Sequence, residues 1–308
     1  MAQNTRDLRR RIKSTKSIRQ ITKAMEMIAA SKMRKAQLAA LASRPYAVLA
    51  WEMLSSLQGI ERGDVIEKLG ARGKMLREPE QDGGKSLVVL ITSNRGLCGS
   101  LNSQLVNEAW TLAKENKENF VFVSVGRKGT RALSRLGLIM RASFDGFENQ
   151  PTTQEIWPIA DVTVNAFLAE DFSRVFVLYA DFISTLQYKV RVRQLLPITA
   201  QAVVYSGGVQ LEIGKHVETK KIANDLLFEP NPEDVLGYLL PRLTELQLYQ
   251  LILENMASEH SARMINMKNA SDSARDLISD LTLTYNSLRQ ASITADLADI
   301  IGGRMAVK

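Results

Sequence analysis

The last part of the chain, from about Asn231 to Met305, constrains the fold more than any other stretch. Between Pro241 and Gly302 there is neither proline nor glycine, the residues that most often interrupt a helix. An unbroken helix of about sixty residues would be roughly 90 Å long at ~1.5 Å per residue. A globular core of this size cannot surround such a helix, so the stretch is predicted to be a rod that needs a helical partner.

Small and apolar residues recur at steps of three and four along the second half of this rod. This seam comprises Ala270, Ala274, Leu277, Leu281, Thr284, Leu288, Ala291, Ala295 and Ala298. Such a heptad pattern predicts coiled-coil pairing. Because most of these side chains are small, the partner helix should approach closely and the pair should be slender.

The partner helix is predicted at the other end of the chain. Residues 5–44 contain no glycine or proline, and Pro45 is expected to mark a bend or a new start. An apolar stripe on this helix comprises Leu8, Ile12, Ile18, Ile21, Met25 and Ile28. The other faces are basic and carry Arg9, Arg10, Lys13, Lys16, Arg19, Lys23, Lys32, Arg34 and Lys35. Packing of the stripe on its own domain is the alternative to pairing with the rod.

The middle of the chain predicts a different architecture. The glycines and charges of residues 59–85 favour a surface connection, poorly ordered in part. Predicted strands at 87–92, 120–125, 175–183 and 188–196 then alternate with helices at 101–116 and 128–136 and within 151–172. This order indicates a mostly parallel, Rossmann-like α/β insertion domain, with 188–196 as an edge strand. The predicted layout is an N-terminal helix over 1–60, a connection over 61–85, the α/β domain over 86–230 and a C-terminal helix over 231–308, with Asn231 as its N-cap.

Composition limits the chemistry of the chain. The single cysteine, Cys98, excludes an internal disulfide, and His216 and His260 do not make a recognisable metal site with it. No apolar run approaches the ~20 residues needed to span a bilayer. We therefore expect no catalytic residues, no cofactor, no metal and no membrane span. The net charge of +7 favours an acidic partner, nucleic acid or an anionic surface.

Two polar segments need an interpretation. Residues 93–102 lie between the first strand and a helix, where α/β sheets often bind ligands. Because the GxGxxG pattern is absent, a structural turn built on Arg95, Gly96, Cys98 and Gly99 is favoured, with Arg95 paired to a carboxylate and Cys98 buried. In the rod, a solvated helix face is expected for Glu254, Asn255, Glu259, His260 and Arg263.

Three segments resemble the γ subunit of rotary F-type ATP synthases: Ile21–Met33, Ser93–Asn102 and Glu254–Thr294. The resemblance covers most of the chain and implies a central rotor shaft whose terminal helices form an antiparallel, left-handed coiled coil. It implies single-copy assembly with the α and β subunits of the catalytic head, an ε-type small rotor subunit and the membrane c-ring. It also implies a peripheral position on the cytoplasmic face of a bacterial inner membrane, since no transit peptide is expected.

The resemblance also implies roles for individual residues. Met25 matches a methionine that faces an acidic loop of the β subunit, and Arg289 and Gln290 match a polar pair that engages a loop of the catalytic subunits. We add Lys23 and Thr294 to this expected set of stator contacts. Residues through Val307 would lie in an apolar bearing. The chain departs from the family at Asn94, where an aspartate is usual, at Ser273-Ala274, and over 59–85, and a regulatory cysteine pair is absent.

Two other classes of protein remain as alternatives. A basic helical nucleic-acid-binding protein would use residues 9–35 on phosphates, with binding that weakens steeply in salt. An α/β enzyme with helical appendages would need a catalytic constellation near residues 93–102.

Overall fold

The structure is a computed structural model. It describes residues 2–56, 67–77, 84–115, 119–169, 171–198, 205–206, 209–210, 229 and 231–306. The chain divides into two compact units, which we call the terminal-helix unit, Met1–Ala29 with Arg263–Lys308, and the body, Ala30–Ala262. Among the described residues, none of the helices has the length and apolar content that crossing a bilayer requires.

Both predicted long helices are present. Helix α1 runs over Ala2–Ser56 and includes Pro45, so the new start expected at Pro45 is wrong. Helix α5 runs over Pro232–Ala306 and continues through Pro241. The predicted N-cap of α5 is confirmed, because Asn231 Oδ1 accepts a hydrogen bond of 2.8 Å from the Asp234 amide.

The terminal-helix unit is an antiparallel helix pair. The part of helix α1 that belongs to this unit ends at Ala29, and the part of helix α5 that belongs to it begins at Arg263. Arg9 and Tyr285 lie at similar distances along the chain from those two points, and the Arg9 guanidinium stacks 5.8 Å from the centre of the Tyr285 ring. The two helices therefore run in opposite directions.

The less exposed residues of this pair recur along each helix at intervals that fit steps of three and four. On α1 they include Thr5, Leu8, Ile12, Thr15, Thr22 and Ala29. On α5 they are Met267, Ser271, Ala274, Ile278, Leu281, Tyr285, Leu288, Ser292 and Ala295. The average period of 3.5 residues is that of a left-handed supercoil, as predicted.

The predicted seam is correct at Ala270, Ala274, Leu281, Leu288 and Ala295 and wrong at the other four positions. Leu277, Thr284, Ala291 and Ala298 are exposed. On α1, the predicted stripe residues Ile18, Ile21 and Ile28 are also exposed, Ile21 by 60%. A two-helix pair buries only a narrow seam, so the apolar residues beside it stay at the surface.

The body contains a five-stranded sheet in the order β3-β2-β1-β4-β5. The strands are β1 Ser86–Ile91, β2 Phe120–Val125, β3 Met140–Phe144, β4 Arg174–Ser184 and β5 Gln187–Leu196. The first four are parallel, so the sheet is mostly parallel as predicted, and β5 lies at the edge as expected. The antiparallel direction of β5 was not foreseen. The sequence reasoning missed β3, because its half-exposed residues form no continuous apolar run.

Helices cover both faces of the sheet, and the sheet separates two hydrophobic cores. They are α2 Leu101–Glu115, α3 Arg127–Leu136 and α4 Thr153–Leu168, close to the predicted bounds. All six residues of β1 are buried. Leu87 and Val89 pack into one core with Leu240 and Leu251 of α5, whereas Val88 packs into the other core with α2 and α3 residues. Strand β1 is therefore the shared wall of both cores.

The described part of the predicted surface connection is packed against the body. Residues Gly70–Leu76 form a 3-10 helix in which Met75 is fully buried. Met75 O accepts 2.7 Å from the Ile198 amide, and Arg72 Nη1 donates 2.9 Å to Gly237 O. The expectation of a surface excursion is wrong here because one large apolar side chain reaches the core. Residues 57–66 and 78–83 lie outside the described residues, as does most of 199–228. Within that last range, the short strands β6 Tyr205–Ser206 and β7 Val209–Gln210 pair with each other.

Two glycines with positive φ allow a matched test of the fold. At Gly126, φ is 102° and an added Cβ would lie 2.2 Å from Thr92 O. At Gly137, φ is 70° and nothing lies within 4 Å of the added atom. We expect Gly137→Ala to cost about 1–2 kcal/mol for the backbone conformation alone, and Gly126→Ala to cost about 3 kcal/mol because a close contact is added.

Urea denaturation of the purified chain, followed by circular dichroism, measures both changes. Equal midpoints for the two variants would contradict the close packing between the carboxyl ends of β1 and β2.

Candidate functional site: the helix-filled crevice and the terminal-helix surface

The natural position for a ligand in this fold is the crevice between β1 and β4. The strand order reverses there, and open α/β sheets bind ligands outside the carboxyl ends of such strands. Strand β4 pairs with β1 only as far as Leu178 but continues to Ser184. The backbone groups of β4 beyond Leu178 therefore have no partner strand on the β1 side.

Helix α5 fills this crevice with its own side chains. Asn255 Oδ1 accepts a hydrogen bond of 3.0 Å from the Ala180 amide. Ser258 Oγ donates 2.8 Å to Ala180 O, and Ser261 Oγ donates to Thr185 O. The side chains of α5 thus supply hydrogen-bond partners that a neighbouring strand would otherwise supply, and they lie where such a fold can bind a ligand.

The polar cluster of the rod is buried, so the expectation of a solvated face is wrong. Glu254, Asn255, Glu259 and His260 are all buried, and Arg263 is half-buried. This occurs because α5 crosses the carboxyl edge of the sheet, where polar backbone groups are available. Glu254, Asn255, Glu259 and His260 therefore belong to the packing of the body.

The hydroxyl group beside this cluster is held in its neutral form. Burial, together with the nearby charges of Glu254 and Asp181, raises the pKa of Tyr179. The buried carboxylate of Asp181 is itself 2.6 Å from Arg191 Nε. A neutral Tyr179 cannot act as a base or nucleophile. Within the described residues, no three His, Cys, Asp or Glu side chains lie close enough to hold a metal ion.

The turn at residues 93–102 contacts the amino end of α3, which is a second position where an α/β fold could bind an anion. The first amides of a helix attract phosphate because they have no partner within the helix. Here they bond to the chain itself, as a set of three contacts. Arg127 N donates 3.2 Å to Asn94 Oδ1, Lys128 N donates 3.1 Å to Ser93 O, and Gly129 N donates 2.8 Å to Thr92 Oγ1. The turn therefore caps α3.

The expected contacts of this turn are present. Arg95 Nη2 lies 2.8 Å from Glu148 Oε1, although both side chains are exposed. Cys98 is 1% exposed, and Asn102 Nδ2 donates 3.1 Å to its sulfur. Gly99 has φ 62°, and Gly96 lies next to the Lys128 side chain. No observation tests the purely structural role of these residues, which stays a prediction.

Sequence reasoning underestimated Asn94. Its Nδ2 donates 2.6 Å to Gly146 O, and its Oδ1 accepts 2.9 Å from Gly146 N as well as the bond from Arg127 N. An ionised aspartate could accept both bonds but could not donate the third. The departure from the usual aspartate therefore suits this turn. Lys32 of α1 also reaches the loop, where Nζ donates 2.6 Å to Glu148 O.

The expected stator contacts lie at two separate levels of the terminal-helix unit. Lys23 is exposed and pairs with Glu26 at 3.0 Å, and Met25 is half-buried. Arg289, Gln290 and Thr294 are exposed. Because Arg9 meets Tyr285 in an antiparallel pair, these three lie beyond the level of Arg9, away from Lys23 and Met25. The structure does not bring the two groups together.

These features define a two-helix coiled-coil protein with an inserted Rossmann-like body. A family model described as ATP synthase matches residues 4–307. The ATP synthase gamma chain of Herpetosiphon aurantiacus is 39% identical over 99% of both chains. The ATP synthase gamma chain of Roseiflexus castenholzii is 38% identical over 99% of this chain and 98% of its own. The chain therefore belongs to the ATP synthase gamma-chain family.

Solved structures have the same fold. A chain of the Tetrahymena thermophila mitochondrial ATP synthase central stalk and c-ring is 27% identical with a TM-score of 0.57, covering 82% of this chain and 99% of that one. A chain of the Euglena gracilis mitochondrial ATP synthase is 20% identical with a TM-score of 0.64, covering 100% of this chain and 95% of that one.

The contacts of Asn94 predict its contribution to stability. Asn94→Ala removes one acceptor and one donor that together serve Gly146 and the first amide of α3. We expect a loss of about 2 kcal/mol, since an N-cap costs ~0.5–2 and each unpaired buried group costs about 1–3 kcal/mol. Asn149→Ala, at an exposed position on the same loop, should change the urea midpoint little. A similar loss in both variants would show that Asn94 has no special role.

The seam can be tested with two leucines one turn apart. Leu281 is half-buried and Leu277 is 49% exposed, so Leu→Ala changes helix propensity equally at both. We expect Leu281→Ala to cost about 1–2 kcal/mol, less than the ~2–5 kcal/mol of a fully buried leucine, and Leu277→Ala to stay within ~0.5 kcal/mol. Thermal melting of the full chain measures the difference. Equal losses in the two variants would contradict this seam and favour the one expected from the sequence, which contains both leucines.

Proposed function

We propose that this chain is the central rotor shaft of an F-type ATP synthase, where it couples proton-driven rotation of the membrane c-ring to ATP synthesis in the α/β head, and the reverse during hydrolysis. The observation that carries the proposal is the antiparallel pair of terminal helices, which buries only a narrow seam and exposes the remaining side chains. Membership of the gamma-chain family supports it, as does similarity to a chain from a structure titled as a central stalk and c-ring.

The surface of the terminal-helix unit suits a part that turns inside a ring. A rotor must bias each surrounding subunit toward a different nucleotide affinity, which is a coupling free energy between rotor angle and site. Deep apolar docking would hold a single angle. Arg289, Gln290 and Lys23 are exposed and can form replaceable contacts, since exposed ion pairs contribute only about 0–1 kcal/mol.

The end of α5 supports an apolar bearing in the head. Ile293, Leu297, Ile300 and Ile301 follow helical spacing, and more than half of each side chain is exposed. The expected bearing residue Val307 lies outside the described residues. An apolar collar in the head would cover this face of α5.

The chain is proposed to be a non-catalytic subunit without a cofactor. The crevice that an α/β enzyme would use is occupied by Asn255 and Ser258. The first amides of α3, which could otherwise bind a phosphate, donate to residues 92–94. We propose single-copy assembly with the α and β subunits, an ε-type rotor subunit and the c-ring, at the cytoplasmic face of a bacterial membrane. The contacts of Met25, Lys23, Arg289, Gln290 and Thr294 with the head belong to this proposal.

Replacing Arg289 and Gln290 together tests torque transmission. In a reconstituted complex, Arg289→Ala with Gln290→Ala should lower ATP turnover or its coupling to proton transport by about tenfold, corresponding to ~1.4 kcal/mol of lost interaction. Lys268→Ala with Asn269→Ala is the control, because it also removes one cation and one amide from exposed positions of α5. Unchanged assembly, turnover and coupling in the Arg289/Gln290 variant would refute the role of this pair, and an equal loss in the control would make it nonspecific.

A further inference from the structure

We propose that Asn255 and Ser258 are positioning residues in a joint that carries torque between the α/β body and helix α5. This inference rests on the proposed rotary function. It concerns only contacts inside the body, where both the sheet and residues 232–262 of α5 lie.

The two side chains bond to the backbone N–H and C=O of the same residue, Ala180. Asn255 accepts from the Ala180 amide at 3.0 Å, and Ser258 donates to the Ala180 carbonyl at 2.8 Å. Residues three apart lie on the same face of a helix, so both bonds have the same requirement for the orientation of α5. A small rotation of α5 about its axis, or a slide along it, lengthens both bonds.

Burial makes these bonds costly to break. Asn255 is 1% exposed and Ser258 is 0% exposed, so water is not at hand to replace a lost partner. A buried amide or carbonyl without a partner costs about 1–3 kcal/mol. The bonds therefore resist rotation at the point where the helix meets the sheet.

The apolar contacts of α5 resist separation more than rotation. Leu251 and Ile252 pack in the core beside β1 and β4, but the hydrophobic effect is non-directional and scales with buried area. Neighbouring apolar side chains can exchange places as a helix turns, with little change in that area. A hydrogen bond depends on distance and angle, so the angular specificity comes from Asn255 and Ser258.

The joint lies directly before α5 leaves the body. Ser261 Oγ donates to Thr185 O, and the body ends at Ala262. Because α5 continues as one helix from Pro232 to Ala306, a turning force applied at Ala180 acts on an element that extends into the terminal-helix unit.

The test combines exchange and rotation measurements. The double variant Asn255→Leu with Ser258→Ala removes both bonds while keeping side chains of similar size. In the isolated full-length chain, the Ala180 amide should exchange at least about tenfold faster with solvent. In a reconstituted complex with the head fixed to a surface, a probe on Arg131→Cys of α3 reports the angle of the body; Arg131 is exposed whereas Cys98 is buried. During pauses at low ATP, the angular variance should rise about twofold because the joint has lost its directional bonds.

Two further variants separate the joint from a general loss of buried polar contacts. Thr244→Val removes a buried bond of α5 that is purely local, from Oγ1 to Leu240 O at 3.0 Å, and should leave the angular variance at the parent value. Ser258→Thr retains the hydroxyl donor and should also leave it unchanged. If the double variant does not assemble, Ser258→Ala alone should give an intermediate increase.

The outcomes separate this inference from the proposed function. If the parent complex does not rotate, the proposed function fails. If it rotates and either Ser258→Ala or the double variant leaves the variance at the parent value, the joint is refuted and the shaft remains. An equal increase in Thr244→Val, or unchanged exchange at Ala180 in the double variant, would also overturn the joint.

Discussion

The backbone N–H and C=O of Ala180 are where the sheet and the long C-terminal helix are bonded to each other. Strand β4 continues beyond its last pair with β1, at Leu178. The backbone groups beyond that point on the β1 side have no partner strand. Asn255 and Ser258 supply the missing partners, and in doing so they bring the aliphatic side chains of α5 against the sheet. The polar contact and the core beside it therefore depend on each other, because neither an open strand edge nor an exposed row of leucines would be stable.

At the carboxyl ends of β1 and β2, backbone groups also find their hydrogen-bond partners in other parts of the chain. Thr92, Ser93 and Asn94 satisfy the first amides of α3, and Asn94 also holds the loop at Gly146. The first amides of a helix can otherwise bind an anion. Here the amides of Arg127, Lys128 and Gly129 have partners from within the chain. The carboxyl ends of β1 and β2 therefore contribute to the packing of the body through polar contacts as well as apolar ones.

Local signals in the sequence predicted much of the fold. The absence of proline and glycine marked both long helices, and continuous apolar runs marked β1, β2 and β4. Strand β3 was missed because its alternating burial gives no such run. The seam of the helix pair was only half correct, since Leu277 and Leu281 fit a period of three to four equally well and only the partner helix distinguishes them. The Arg95 and Cys98 contacts of the turn could be expected, whereas the three bonds of Asn94 depend on Gly146 and Arg127, which are far along the chain.

The burial of residues 254–261 could not have been predicted from the helix alone. Polar residues on a long helix are usually solvated, and nothing within α5 indicates that Ala180 lies opposite Asn255. Pro45 and Met75 show the same limitation. A proline inside α1 is tolerated, and a methionine in a glycine-rich segment reaches the core. For Met75, contacts distant in sequence override the local preference.

The surroundings of α5 change along its length, and its burial changes with them. In the body, every residue from 251 to 262 is buried, and Leu251, Ile252 and Met256 pack into the core beside the sheet. In the terminal-helix unit only a seam is less exposed, and it mixes small side chains such as Ala274 with large ones such as Tyr285. Buried polar groups need hydrogen-bond partners within the protein, whereas exposed ones are satisfied by water. The polar residues of α5 therefore need partners in the body, where Asn255 and Ser258 bond to Ala180, but not at the exposed positions of the helix pair.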